Sequence, residues 1–346
     1  MVESYLSNAH LFQSRGYSIE RLNIAPCFRT GLSPLDNLVY IFTQRISVRK
    51  RIRNSEYHII HIHTSREFLF LKDILLAKMI KRCSGIPIVI TVHVGAMETV
   101  YNRIKWFRRE SITILNQFVN HAFFLSEQMM RQFLSEGLDA SRSSVLYNFH
   151  CFEHIKDRIQ HKESPIELLF VGAIHKEKGI LELLSAISKL SDCKYHLSIC
   201  GTITDNSIIQ TIDDYISRLG DKVSLCGYVE GIEKTKLFLN SDLLILPSYH
   251  EGLPLVILEA LGAGCAVMAT RVGAIPEILS EENCFWVDIG SVDSIIEHLK
   301  NVTRKELEIV QKTNLNLGRK FTLSMHVDKL VNAYNTVIDE KNSYSH

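Results

Sequence analysis

No apolar run in this chain reaches 18 residues, and no basic, then apolar, then small-residue leader opens it. A membrane-spanning helix and a secretion signal are therefore not expected, and a cytoplasmic location is. The eight cysteines (27, 83, 151, 193, 200, 226, 265 and 284) include no Cys-x-x-Cys pair. That argues against a zinc site and a disulfide scaffold, and for a reducing compartment. No Gly-x-Gly-x-x-Gly follows a strand-like run, so an NAD-dependent oxidoreductase would lack its dinucleotide fingerprint. Internal repeats and low-complexity segments are also absent.

What is present is ordinary globular material. The 346 residues are 46% hydrophobic and 22% charged, enough for two domains of about 150–180 residues with ample core. The charge is unevenly placed. Residues 1–150 carry 19 Lys and Arg against 11 Asp and Glu, and the remainder 20 against 27, so the net +1 hides halves of about +8 and −7. Arg45, Arg49, Lys50, Arg51 and Arg53 form one basic cluster, and Arg103, Lys105, Arg108 and Arg109 form another with Trp106 and Phe107 interleaved. Such clusters suit anionic headgroups at the inner face of a membrane or a lipid-diphosphate acceptor, and equally suit solvated helix faces. No nucleic-acid recognition motif accompanies them, so nucleic acid is not an expected partner.

Residues 1–15 read as an amphipathic helix, with Val2, Tyr5, Leu6, Ala9 and Phe12 at helical spacing before Gly16 and the strand-like run Tyr17 to Ile24. Strand-like runs recur at 57–62, 86–92, 121–125 and 145–147, then at 166–171, 195–200, 223–225, 243–246, 266–269 and 285–287. Helical stretches separate them. The alternation predicts α/β architecture with parallel sheets, whose ligands gather at the C-terminal ends of the strands. Polar residues 151–164 lead to Pro165 and divide the series. The expected organisation is a domain at 1–150, a linker at 151–164, a second domain at 165–322, and a C-terminal helix and tail at 323–346.

The most informative stretch runs from Leu246 to Gly264 and reads as strand end, Gly/Pro turn, short helix and glycine stop. Pro254 suits a first helical turn, Leu255 to Leu261 is apolar on nearly every side, and Gly262 and Gly264 would end the helix. Such a helix should be buried. Glu259 in its middle then needs either a ligand in a cleft or a salt bridge to a core Lys or Arg, because a lone buried carboxylate is costly. Glu251 stands eight residues earlier, roughly 12 Å at most along a helical rise, about the length of a sugar diphosphate. Free amides at a helix start lie between them and favour an anion.

Glu251, seven residues and Glu259, within Pro-Ser-x-x-Glu-Gly-Leu-Pro-Leu-Val-Ile-Leu-Glu-Ala and followed by Gly273-Ala274-Ile275-Pro276-Glu277-Ile278, resemble the signature of family 4 of the retaining glycosyltransferases. The match is good over about 165–290 and looser over 15–150. It implies the GT-B fold: two Rossmann-like domains facing across a cleft, with nucleotide-sugar on the C-terminal domain and acceptor on the N-terminal one. It also implies that Glu251 contacts the transferred sugar, that Glu259 holds the nucleotide ribose, and that Gly252 and Leu253 offer amides to sugar and phosphate. His93, at the end of the 86–92 run, matches a family His facing the reacting sugar. Lys178 matches a family Lys aimed at the donor diphosphate, while Ala173 stands where the family carries Arg, with His175 and Lys176 near enough to compensate. Gly201-Thr202 resembles the turn after the next strand, where a second glycine is more usual. His61 and His63 share a strand face; acceptor contact or rim packing explains them better than metal ligation, since no acid or thiol companion is near in sequence.

The reaction implied is transfer of a hexose from a UDP- or GDP-sugar, with retention, to a glycan or lipid-linked acceptor in surface polysaccharide synthesis. No metal is expected, because Lys178 and helix amides would neutralise the leaving diphosphate. A nucleotide-sugar-binding protein with impaired catalysis is the alternative, suggested by Ala173 and by the N-terminus. In the family the chain opens with a strand and a glycine-rich loop; here Met1 leads straight into the helix. The expectation is an N-terminal domain without its first strand, in a chain truncated at its start.

Overall fold

The structure is a computed structural model describing residues 2–23, 45–64, 68–93, 105–152, 165–190 and 194–343. Its internal contacts divide it into two units, Met1–Tyr147 with His326–His346, and Asn148–Met325. The division falls between Tyr147 and Asn148; of the polar segment 151–164, only Cys151 and Phe152 lie among the described residues.

In the first unit β1 (Ile60–His63), β2 (Ile88–Val92), β3 (His121–Phe124) and β4 (Ser143–Val145) form a parallel sheet in that order. All of β2 is buried, as an uninterrupted β-branched run between covered faces should be. Helices Phe68–Ser84, Lys105–Phe118 and Glu127–Ser135 connect successive strands. Ser126 caps the last of them by accepting the Met129 amide, which satisfies one of the orphan donors of a helix start. The long helix Leu323–Ser343 begins in the second unit, and from His326 onward it belongs to the first.

Two expectations for the N-terminus change. The first fifteen residues form two short helices, Val2–Ser7 and Ala9–Gln13, because Asn8 leaves helical geometry and its side-chain amide donates to Ser4 O at 2.9 Å. Residues 17–23 belong to no strand; Ile24 lies outside the described residues. Among the described residues β1 is one edge of the sheet and pairs only with β2, so residues 17–23 are not in its ladder. Their side chains are held individually instead. Tyr17 Oη donates to Asn335 Oδ1 at 2.6 Å, and Glu20 accepts from Tyr57 Oη at 2.6 Å and from Arg51.

The second unit carries a six-stranded parallel sheet of β5 (Ile166–Val171), β6 (Tyr195–Cys200), β7 (Val223–Gly227), β8 (Leu243–Leu246), β9 (Ala266–Thr270) and β10 (Phe285–Val287). The order is β10-β9-β8-β5-β6-β7, so the winding reverses between β5 and β8. A reversal of this kind opens a crevice at the strands' C-terminal ends, where α/β proteins bind ligands. Leu168, Phe170, Leu243 and Ile245 fill the core beneath it.

Candidate active site

Loops leaving β5, β8 and β9 meet beside that reversal, and glycines allow the meeting. Gly179 separates a 3-10 turn, Lys176–Lys178, from helix Ile180–Lys189 with φ +69°, and a Cβ there would lie 2.1 Å from Pro247 O. Gly273 has φ +55°, and its Cβ would lie 2.1 Å from Glu251 O. Hydrogen bonds complete the lock: Tyr249 N to Glu177 O at 2.8 Å, Ala274 N to Gly252 O at 2.8 Å, and Thr270 Oγ1 to Ser248 O at 2.6 Å. The single glycine of the turn after β6 has a similar role, since a Cβ on Gly201 would meet Gly172 O at 1.8 Å.

On this scaffold Lys178 Nζ donates to Glu251 Oε1 at 2.6 Å, and Ser248 Oγ donates to the same oxygen at 2.8 Å. Lys178 sits before the helix, in the 3-10 turn, so the charge that meets it is the Glu251 carboxylate. Gly252 and Leu253 follow directly and lead to helix Leu255–Ala263, with Pro254 as its N-cap.

That helix is buried on one side only. Ile257, Leu258, Ala260 and Leu261 are inaccessible, whereas Leu255 is 48% exposed and Val256 and Glu259 are half-buried. Residues three and four apart share a helix face, so Glu259 lies on this open face with Val256 and Leu255. Gly264, in the left-handed region, ends the helix. Gly262 does not end it; it lies inside the helix, where a Cβ would come within 2.5 Å of the His150 ring.

Glu259 has the salt bridge that one of the two sequence readings required. Its Oε1 accepts from Lys234 Nζ at 2.6 Å, while Oε2 is sealed from solvent and has no hydrogen-bond partner. An unmatched buried carboxylate oxygen is costly until a donor reaches it. Lys234 had no signal in the sequence: it lies on helix Gly231–Asn240, with no spacing relationship to Glu259, and only packing brings it there.

His93 belongs to the first unit, at the C-terminal end of β2. Its backbone N–H donates to Thr64 Oγ1 at 2.9 Å, and its Nε2 lies 2.9 Å from His63 Nδ1. Burial pushes the His93 imidazole down to about 4. His61 and His63 do share a face, with ring centroids 4.3 Å apart. His61 Nδ1 is 2.6 Å from Tyr334 Oη and its Nε2 is 2.7 Å from Thr91 Oγ1, and burial drives its pKa to about 3. Among the described residues no group of His, Cys, Asp and Glu side chains is arranged to hold a metal ion.

Of the basic clusters, residues 45–53 are helical. Arg45, Arg49, Lys78 and Arg82, with Leu75, Met79 and Cys83, line a cavity of about 370 Å³ in the first unit. Arg103 lies outside the described residues; Trp106 is 68% exposed and Arg108 pairs with Glu136 at 3.0 Å. No helix among the described residues is long and apolar enough to cross a membrane.

Two parallel-sheet α/β units are the architecture of a GT-B glycosyltransferase. The family profile described as Glycosyl transferases group 1 matches residues 152–320, and that described as Glycosyltransferase Family 4 matches residues 11–150. The chain belongs to this family. It is similar, at 24% identity over 86% of this chain and 80% of the other, to an Escherichia coli UDP-Gal:alpha-D-GlcNAc-diphosphoundecaprenol alpha-1,3-galactosyltransferase. A putative teichuronic acid biosynthesis glycosyltransferase of Bacillus subtilis, TuaC, is 25% identical over 75% of this chain and 67% of its own length. The crystal structure of a glycosyltransferase from Rickettsia africae aligns with TM-score 0.72 and 16% identity, covering 95% of this chain and 87% of that one, which establishes the shared fold.

Proposed function

We propose that the protein transfers a hexose, with retention, from a UDP- or GDP-sugar to a glycan or lipid-linked acceptor in surface polysaccharide synthesis. The observation that carries this reading is the unfilled Glu259 oxygen on the helix that follows the Lys178–Glu251 pair, at the sheet whose winding reverses between β5 and β8. The activities in the names of the Escherichia coli and Bacillus subtilis relatives support it. On this reading Glu259 accepts from a ribose hydroxyl of the donor. Glu251 and the Gly252 and Leu253 amides hold the sugar, and Lys178 swings from Glu251 to the diphosphate. The acceptor oxygen bonds to the anomeric carbon as the bond to the phosphate oxygen breaks, and the acceptor proton passes to the departing phosphate. His93 would steady charge developing at the sugar.

Lys178 and the first amides of helix Leu255–Ala263 would take the diphosphate charge, so the reaction as proposed needs no metal. A lipid-linked acceptor would bring the protein to the cytoplasmic face of the membrane. Screening purified protein against UDP- and GDP-hexoses, with product anomeric configuration read by NMR, tests the assignment. Inverted product would refute retention, and loss of turnover in EDTA restored by manganese would refute the metal-free step. One feature favours a second reading, a binding protein without transfer: Ala173 is exposed and offers the diphosphate no charge where the family has Arg. Tight nucleotide-sugar binding without product from any donor would establish that reading instead.

A further inference from the structure

We propose that His63 is a positioning residue for His93, setting the orientation and tautomer of its ring through the His63 Nδ1–His93 Nε2 hydrogen bond; this rests on the reading of His93 as the group at the reacting sugar. The two rings come from neighbouring parallel strands, with His63 level with Thr91 in the β1–β2 register. Consecutive residues therefore grip His93 twice. Thr64 Oγ1 accepts its backbone N–H at 2.9 Å, and His63 Nδ1 meets its ring at 2.9 Å.

An N···N contact of that length requires one ring to donate and the other to accept. Both rings are half-buried, and desolvation lowers both pKa values and favours the neutral forms. Each ring then has a single N–H, and the tautomer of one dictates that of the other. With the hydrogen of His63 on Nδ1, Nε2 of His93 is the acceptor and the hydrogen of His93 moves to Nδ1. That nitrogen has no partner among the described residues, so it is the one free to donate to a substrate oxygen.

His63 is itself held against rotation. Its ring stacks 4.3 Å from His61 at 30° and lies 5.6 Å from Tyr5. Both nitrogens of His61 are in turn engaged by Tyr334 and Thr91. The stack thus holds a ring whose one side-chain hydrogen bond among the described residues goes to His93.

The test combines imidazole ¹⁵N NMR with transferase kinetics on the intact protein. Wild-type His93 should carry its hydrogen on Nδ1. His63→Phe keeps a ring in the stack and removes the hydrogen bond, so His93 should revert toward the Nε2–H form. Its kcat should fall about tenfold or more, as expected for a misplaced reacting group, with donor KM and melting temperature near wild type. His63→Asn, whose amide stands close to Nδ1, should recover most of the loss. His63→Gln, whose amide reaches the Nε2 position, should not recover it, and it carries the test if the Phe variant fails to fold. In a His93→Ala background, His63→Phe should change kcat no further. An unchanged His93 tautomer in His63→Phe, or losses that multiply in the double variant, overturns the inference while leaving His93 in place. Full kcat in His93→Ala fails the reaction reading itself.

Discussion

Lys178 Nζ lies 2.6 Å from Glu251 Oε1 and so ties the loop after β5 to the loop after β8, across the point where the sheet's winding reverses. Glu251, with its side chain 8% exposed, is the more deeply placed partner. Truncating Lys178 would leave that carboxylate with Ser248 as its remaining side-chain donor among the described residues.

Lys178→Ala should therefore lower stability by about 1–3 kcal/mol, the cost of a poorly satisfied buried group, and weaken nucleoside diphosphate binding. Glu251→Gln keeps an acceptor for Ser248 and should cost less stability. Calorimetric unfolding and titration with UDP and GDP check both, and a larger loss from Glu251→Gln would reverse the assignment of which partner depends on the other.

Glu259→Ala removes the unfilled oxygen and should weaken nucleotide binding by roughly 1.5–3 kcal/mol, the size of a hydrogen bond to a charged group. Lys234→Ala should act in the same direction by releasing the carboxylate from its ion pair. Unchanged affinity in a folded Glu259→Ala protein would sink the ribose role.

Gly179→Ala and Gly220→Ala separate strain from collision. Both glycines have positive φ, +69° and +54°, but a Cβ meets Pro247 O at 2.1 Å in the first and nothing within 4 Å in the second. Gly220→Ala should cost about 1–3 kcal/mol from backbone strain alone, and Gly179→Ala more, with nucleotide affinity lost as the loops part. Equal melting temperatures for the two would show that the contact is not tight.

Acid should destabilise the first unit. Burial holds His61 at about 3 and His93 and His326 at about 4, below the ordinary value of about 6.5. The unfolded chain then binds more protons than the folded one between these limits. The stability contributed is fully present above pH ~6.5 and is lost as pH falls toward 4, by up to about 1.4 kcal/mol per pH unit for each histidine. His61→Gln should flatten the slope of unfolding free energy against pH; an unaltered slope would place the acid sensitivity elsewhere.

Binding to anionic vesicles should fall with salt and with Arg49→Gln combined with Arg82→Gln, which strips the cavity lined by Arg45, Arg49, Lys78 and Arg82. Screening shortens from about 10 Å at 0.1 M to about 3 Å at 1 M. Equal retention on neutral and anionic vesicles would leave the basic helices as plain solvated faces.

The alternation of short apolar runs with helix-length stretches was enough to give two parallel α/β sheets, because neighbouring parallel strands must be joined by a crossover long enough to hold a helix. The Leu246–Gly264 stretch likewise declared its turn, helix and carboxylates, since Pro254, Gly264 and Glu259 each act through local backbone geometry or local polarity. The run at 17–23 misled for the converse reason: a strand exists only with a neighbour to bond, and sequence pattern does not supply one. Lys234 against Glu259, His150 against Gly262 and His63 against His93 were likewise decided by tertiary structure alone. Each joins residues on separate elements, and such contacts follow from how helices and strands pack rather than from any spacing along the chain.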